Sequence, residues 1–326
     1  MAGEVIAVFA VLLFSISNAM IRKVETIASP VQINAVRTTT GAITFVVIAG
    51  AMLFLDDVIT FSREIWFYLL ISILFAQVLG DSLYLKSQEL LGTTKALAIS
   101  MTFPLITFLF SVIILKDTIH YFFYISAVLI IGGVLLIARS QAQVLNEQNT
   151  VVDEKEEEVE VEQGKMNKFL SSVWFSVLIG FLASTSWALG IVFTKKALDL
   201  ISTALNQEAA SSLIGNAVRF PFAALILVFF AWRLPKPVKI KKWDKKSWGW
   251  LLAASLIGTS AAAFLYAEGI RVAGAPMMSL IAAASPLFAL PFTWFLNKEK
   301  INIIGFIGVI ITIGGVILIL LKDFIL

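Results

Sequence analysis

Ten stretches of roughly twenty residues with almost no charge follow one another along the chain, divided by short polar breaks. They lie at about 4–22, 31–55, 65–85, 93–115, 119–138, 169–194, 212–232, 248–270, 275–296 and 301–321. A helix needs about 20 mostly apolar residues to cross a bilayer, and within hydrocarbon only a helix or a closed barrel satisfies its own backbone. The alternation of a barrel strand, about ten residues of apolar-out and polar-in, is absent, since the runs are apolar on all faces. An all-α integral membrane protein with ten transmembrane helices is therefore expected. Composition agrees: 59% of the 326 residues are hydrophobic and 14% are charged, outside the range of soluble domains. The first run lacks a basic start and a small-residue cleavage site, so it reads as the first helix of the mature protein rather than a signal peptide.

The same inventory removes whole classes of chemistry. With no cysteine, disulfides, iron–sulfur clusters and thiol catalysis are excluded. The single histidine, His120, rules out paired-histidine metal motifs and reads as an interfacial residue at a helix start. No phosphate-binding loop of the GxxxxGK[ST] type occurs. An intramembrane hydrolase would need opposed aspartates or a Ser–His pair, which the chain does not offer. Neither an enzyme, a cofactor nor a nucleic-acid partner is expected. The partners implied are the lipid bilayer and a small-molecule substrate.

The tetrapeptide Asn-Ala-Val-Arg occurs at 34–37 and again at 216–219, and 216 − 34 = 182. The same shift carries Tyr84 onto Tyr266, Gly92 onto Gly274, Pro104 onto Pro286, Lys116-Asp117 onto Lys298-Glu299 and Gly132-Gly133 onto Gly314-Gly315. The chain is an internal duplication: a first repeat at 1–138, an acidic linker at 139–168 and a second repeat at 169–326. Five helices per copy is an odd number, so the second copy enters the membrane from the opposite face, giving two inverted five-helix repeats. Proteins of this design place the substrate near the midplane between repeats, which points to a secondary transporter. The linker centres on "DEKEEEVEVE", too charged to bury and read as solvated and disordered. Segments sharing its face carry 17 Lys and Arg against six on the other. The positive-inside rule then puts linker 139–168 and loop 233–247 in the cytoplasm and both termini outside. An inverted pair within one chain makes a monomer sufficient, with a homodimer left open.

The segments "SPVQINAVRTTTGAITFVVIAG", "ALAISMTFPLITFLFSVIILKDTIHYFFYISAVLIIGGVLLIA" and "MSLIAAASPLFALPFTWFLNKEKINIIGFIGVIITIGGVILIL" resemble the EamA-type repeat of the drug/metabolite transporter superfamily. The shared features are an arginine early in the second helix, a proline in the fourth, an acidic pair before the fifth and a Gly-Gly within it. The resemblance covers nearly the whole chain and implies a plasma-membrane transporter. Two departures stand out. Asp117 replaces the commoner Glu, a mild change at a helix start. Small multidrug-resistance relatives carry a carboxylate embedded in the first helix for proton-coupled exchange of cations, but in that region helix 1 here offers only Ser15, Ser17 and Asn18. Members of the family often have cytoplasmic termini, opposite to the charge count.

Candidate substrate-binding residues follow from polar groups placed in apolar runs. Arg37 and Arg219 stand about seven residues into their helices, roughly 10 Å deep at 1.5 Å per residue. An arginine there costs several kcal/mol unless it snorkels, pairs or faces a wet cavity. Two readings stand: an anion clamp, for which a planar guanidinium is suited, or an anchor for a helix end. Asn34 and Asn216, one turn earlier, share their faces. Pro104 and Pro286, at the centres of helices 4 and 9, free the carbonyls of Ser100 and Ala282. Gln77, Asp81 and Tyr84 share one face of helix 3, with Asp81 expected in its last turn and at the surface; Tyr266 matches Tyr84. Trp187 and Asn18 lie in loosely matched stretches of helices 6 and 1. Lys86, Glu89, Glu268 and Arg271 are read as loop ions, and the glycine pairs as sites of close helix approach. The expected function is export of a small polar metabolite, an amino acid or related organic acid, by alternating access; a channel, scramblase or sensor is the alternative.

Overall fold

The computed structural model describes residues 2–21, 23–24, 29–91, 96, 99–150, 163–205, 208–233, 244–297 and 302–321. The acidic run 153–162, Gly92, the pair Lys298-Glu299 and loop residues 234–243 lie outside them. Every regular element among the described residues is helical: α1 (Ala2–Ile21), α2 (Pro30–Ala51), α3 (Leu55–Ile59), α4 (Arg63–Ile73), α5 (Asp81–Leu91), α6 (Phe103–Phe110), α7 (Tyr121–Thr150), α8 (Gln163–Leu205), α9 (Glu208–Arg233), α10 (Lys245–Ser255), α11 (Ala263–Ala273), α12 (Ala275–Ala283), α13 (Ser285–Asn297) and α14 (Ile303–Leu320). The chain is an all-helical integral membrane protein. Among the described residues, eight helices are long and apolar enough to span a bilayer, or nine if α12 and the first part of α13, bent by 41°, form one span.

Differences from the ten expected runs have local causes. The fourth run breaks at Met101-Thr102, leaving Phe103–Leu115 as a shorter apolar helix. The ninth breaks at Ala284, and 284 − 102 = 182, so both copies interrupt this helix at the same place. Pro104 and Pro286 therefore open the second halves of broken helices instead of sitting at the centres of continuous ones. Their fixed φ and missing N–H suit a first turn and oppose an unbroken helix. Helix also extends into both ends of segment 139–168, because α7 runs to Thr150 and α8 begins at Gln163. No glycine or proline stops α7 once it leaves the apolar run, and Ala, Gln, Leu and Glu there favour helix.

Side-chain caps fix where several helices begin. Ser29 and Gln32 form a reciprocal capping box, with Gln32 N–H donating to Ser29 Oγ at 3.3 Å and Ser29 N–H donating to Gln32 Oε1 at 3.1 Å. This box sets the depth of Arg37. Asp244 caps α10 by accepting from Ser247 N at 2.8 Å, and hydrogen bonding to the Ser247 side chain, then to its backbone, holds the carboxyl below the usual carboxylate range. Asn302 caps α14 by accepting from Ile304 N at 3.0 Å and Gly305 N at 3.1 Å, and its amide also donates to Gln143 Oε1 at 2.9 Å. Asn302→Ala is expected to destabilise the protein by about 1 kcal/mol, seen as a lower melting temperature in detergent.

Lipid is as apolar as a leucine side chain, so close packing of small residues joins these helices. The tightest contact is α7 against α14. Gly133 faces Thr312 and the carbonyl of Gly308, whereas Gly315 faces Leu129 and Ile130. Partner numbers fall as residue numbers rise, so the two helices cross antiparallel. Elsewhere α2 packs along α9, α1 packs against α10, α11 and α13, and α8 packs against α4, α5 and α6. Ala7, Val11, Phe108, Ile130, Ile191 and Met278 form part of the central apolar cluster.

Candidate functional site

Of three π-helical segments among the described residues, one, Ser111–Leu115, ends a helix and two lie within spans as wide turns. A π-helical segment, Leu74–Gly80, joins α4 to α5, and another, Leu256–Ala262, joins α10 to α11. Since 256 − 74 = 182 and 262 − 80 = 182, they occupy the same repeat position. Such turns re-aim side chains and free backbone groups. From the first, Gln77 Nε2 donates to Thr38 Oγ1 at 2.8 Å and to Asn34 Oδ1 at 3.4 Å. From the second, the Thr259 hydroxyl lies 2.6 Å from the carbonyl oxygen of Arg37 and 2.8 Å from that of Ser255. Both wide turns therefore grip α2, the helix that presents Arg37.

Asp81 directly follows the first wide turn, inside a span that runs from Arg63 to Gln88. The expected last-turn, surface position is thus corrected: the helix continues to Leu91, and the carboxylate accepts from Trp187 Nε1 of α8 at 3.0 Å. Gly80 makes room for this indole, because any Cβ there would collide with it. Tyr84 packs on Trp187 at 5.1 Å between ring centroids, and Phe103, next to Pro104, meets its edge at 6.1 Å. Arg37 interacts electrostatically with Asp81 without a hydrogen bond between them. Among the described residues its guanidinium makes no hydrogen bond, and its Nε is buried without a partner.

The duplicate arginine is held differently. Arg219 Nη1 donates to Asn216 Oδ1 at 3.1 Å and Nη2 to Thr194 Oγ1 at 2.8 Å, while Asn216 Nδ2 donates to the Ala263 carbonyl at 3.2 Å. Arg219 is buried, with both amino ends committed to the protein. Position 263 matches Asp81 in the repeat (81 + 182 = 263), so an alanine stands where the first copy has its carboxylate. Tyr266 packs edge-on against Phe14 at 5.6 Å and interacts electrostatically with both Arg219 and Asp81, joining the two groups.

The structure thus gathers Asn34, Arg37, Gln77, Asp81, Tyr84 and Trp187 on one side, with Asn216, Arg219 and Tyr266 beside them. Asn18 does not join: it is exposed on α1 and hydrogen-bonds to none of them. Near Pro104 the hydroxyl of Ser184 lies 3.2 Å from the Ile99 carbonyl and 3.3 Å from that of Ser100, and near Pro286 Ser15 Oγ donates to the Ser285 carbonyl at 3.3 Å. The carbonyl freed at Ser100 is therefore met by α8. Glu268 and Arg271 are not loop ions. They lie on α11, mostly buried, with Arg271 Nη2 2.5 Å from Glu268 Oε1 and Nη1 3.1 Å from Glu208 Oε2, and Ser212 donating to Glu268 at 2.7 Å. Thr38, Thr194 and Phe14 are partners the sequence does not single out. At one membrane face, Asp117 faces Lys195 and Asp199; burial raises its carboxyl above the usual range, while Lys195 opposes this.

A largely apolar cavity of about 790 Å³ lies elsewhere, between α2, α9 and the continuous span formed by α10, its wide turn and α11. Phe45, Leu213, Leu256 and Phe264 line it, with Thr44 and Ser260 hydrogen-bonded at 3.0 Å. Ile48, Met52 and Leu256 at its edge are exposed. Arg37, Asp81 and Trp187 do not line it, and its apolar wall does not suit a polar solute.

Comparison with known proteins agrees with this architecture. A solved crystal structure superposes with a TM-score of 0.71 at 14% sequence identity, covering 99% of this chain and 98% of that one, and so shares the fold. An uncharacterized transporter of Synechocystis sp. is 32% identical over 107 residues, which is 32% of this chain and 31% of that relative. The EamA-like transporter family model matches residues 1–139 and 174–321. The match covers nearly all of both halves, and the chain belongs to the EamA-like transporter family, as a non-enzymatic membrane transporter.

Proposed function

We propose that the protein is a secondary transporter that moves a small polar metabolite with an anionic group, an amino acid or related organic acid, by alternating access. Arg37 holds the anion. One observation carries the reading: of two arginines at the same repeat position, each with its Nε buried and unpaired, Arg219 has both amino ends bonded to protein while the Arg37 guanidinium makes no hydrogen bond among the described residues. A half-buried guanidinium left unbonded inside a membrane span is costly, and a bidentate carboxylate or phosphate satisfies it. Asn34 and Gln77 flank the anion, Asp81 balances the charge, and Trp187, Tyr84 and Tyr266 form aromatic walls. Pro104 and Pro286 mark the helix breaks that let the halves move.

The reading includes ten membrane passes in two inverted repeats, at 1–138 and 169–326. Support comes from the helix pairings, which are unchanged when each helix is exchanged for its duplicate: α2 with α9, α7 with α14, and α1 on α11 against α8 on α5. In the plasma membrane, linker 139–168 and loop 233–247 face the cytoplasm, the termini lie outside, and transport runs outward. In proteoliposomes the protein should show saturable counterflow, in which unlabelled substrate inside accelerates entry of labelled substrate from a panel of amino and organic acids. Unsaturable flux or lipid flipping, without counterflow, would instead identify a channel or scramblase.

A further inference from the structure

The reading of Arg37 as an anion clamp leaves Asp81 with a charge problem, and the following inference rests on that reading. Gln77, one turn before Asp81, bonds Asn34 and Thr38 on either side of Arg37, so in the empty site the two opposite charges stand on adjoining helices and attract each other. When a carboxylate or phosphate of the cargo becomes the counter-ion of Arg37, Asp81 loses that compensation inside the membrane. An uncompensated buried charge is strongly unfavourable, and ionisable residues in such places mark proton pathways. We propose that Asp81 binds one proton when the cargo's anionic group binds Arg37, so that cargo and proton occupy the site together.

The surroundings of Asp81 fit this step. Trp187 Nε1 donates to Oδ1, a bond that a carboxylate and a protonated carboxyl both accept, leaving Oδ2 as the oxygen that takes the proton from water on the open side. Among the described residues the charged or titratable groups facing Asp81 are few. They are Arg37 from α2, Tyr266 from α11 with Arg219 of α9 behind it, and Tyr84 on its own helix; from α8 comes only the non-titrating indole of Trp187. None is a second carboxylate to replace Arg37 as a charge partner or to compete for the proton. Among the described residues the other acidic groups differ in placement: Glu4, Asp56, Asp57, Glu64, Glu208 and Asp244 stand at helix starts, Asp117 lies between helices, and Asp199 and Glu268 are paired with Lys195 and Arg271. The second copy cannot perform the step, because Ala263 stands in place of Asp81.

Reciprocal linkage supplies the test: if the anion favours the proton, the proton favours the anion by the same factor. Lactate and 3-phenyllactate serve as probes, each with one carboxylate and no amine, in two sizes. Their dissociation constants are measured by calorimetry on the full-length protein in detergent between about pH 5 and 8. Wild type should bind at least one probe more tightly as pH falls, by up to about tenfold per pH unit for one proton, and heats in buffers of different ionisation enthalpy should report uptake of one proton. Asp81→Asn, which keeps the acceptor for Trp187 but mimics the protonated form, should bind independently of pH and as tightly as wild type at its lowest pH. Wild-type binding that ignores pH, or an Asp81→Asn protein that keeps the wild-type pH dependence or loses binding, overturns the proposal. Arg37→Gln separates the two readings. Loss of a pH-independent binding in that variant keeps the clamp and sinks the coupling, whereas unchanged binding there, or no binding of either probe to wild type, sinks both.

Discussion

Gly133→Val and Gly315→Val should each destabilise the protein by about 3 kcal/mol or more, while Gly132→Ala and Gly314→Ala should leave it unchanged or slightly more stable. A Cβ at Gly133 would strike the Thr312 side chain and the Gly308 carbonyl, and one at Gly315 would strike Ile130 and Leu129. Overpacking a well-packed contact costs about 1–3 kcal/mol, and here backbone on the facing helix leaves little room to yield. At Gly132 and Gly314 a new Cβ meets nothing within 4 Å, so the residue gains helix propensity worth up to about 1 kcal/mol. Melting temperatures of the four purified variants provide the check. Equal loss at both members of a pair would mean that α7 and α14 do not cross as described.

Arg271→Leu is the second large effect, expected to cost about 3 kcal/mol. The side chains of Arg271 and Glu268 are 14% and 13% exposed, and Glu268 also accepts from Ser212. Removing the cation alone strands the carboxylate. Arg271→Leu combined with Glu268→Gln should recover most of the loss, giving the coupling of a double-mutant cycle. Additive losses would show that the pair contributes no mutual stabilisation. Glu208, whose side chain is 80% exposed, is screened by solvent, and Glu208→Gln should change stability little.

Much of the fold was legible because apolar length and duplication are one-dimensional signals. The runs, the shift of 182 and the paired glycines all lie in residue type and spacing; eight of the runs correspond to helices long enough to span, and one glycine of each pair, Gly133 and Gly315, to a close helix contact. The wide turns at Leu74–Gly80 and Leu256–Ala262 were not legible, since neither segment contains a proline or an unusual polar cluster. Asp81 was misplaced for that reason: the polar residues after it, Ser82, Lys86, Ser87 and Gln88, resemble a helix end, yet the helix continues through them. Trp187 had no visible partner in the first copy because its counterpart follows another shift. It packs on Tyr84 as Phe14 packs on Tyr266, and 187 − 14 = 173, so the first helix of each copy is displaced by nine residues from the rest of the repeat. The divergence of the two arginines was equally hidden. Identical tetrapeptides carry them, yet Arg219 bonds its own Asn216 and Thr194 of another helix, whereas Asn34 accepts from Gln77 instead of Arg37.

That divergence is the centre of the account, and ligand-induced thermal stabilisation tests it most directly. Purified wild type, Arg37→Gln and Arg219→Gln are each melted in the presence of a panel of amino acids, organic acids and phosphorylated metabolites. The account predicts at least one anionic-group compound that stabilises wild type and Arg219→Gln, with the shift abolished in Arg37→Gln. Equal shifts in wild type and Arg37→Gln would contradict it and leave both arginines as structural anchors.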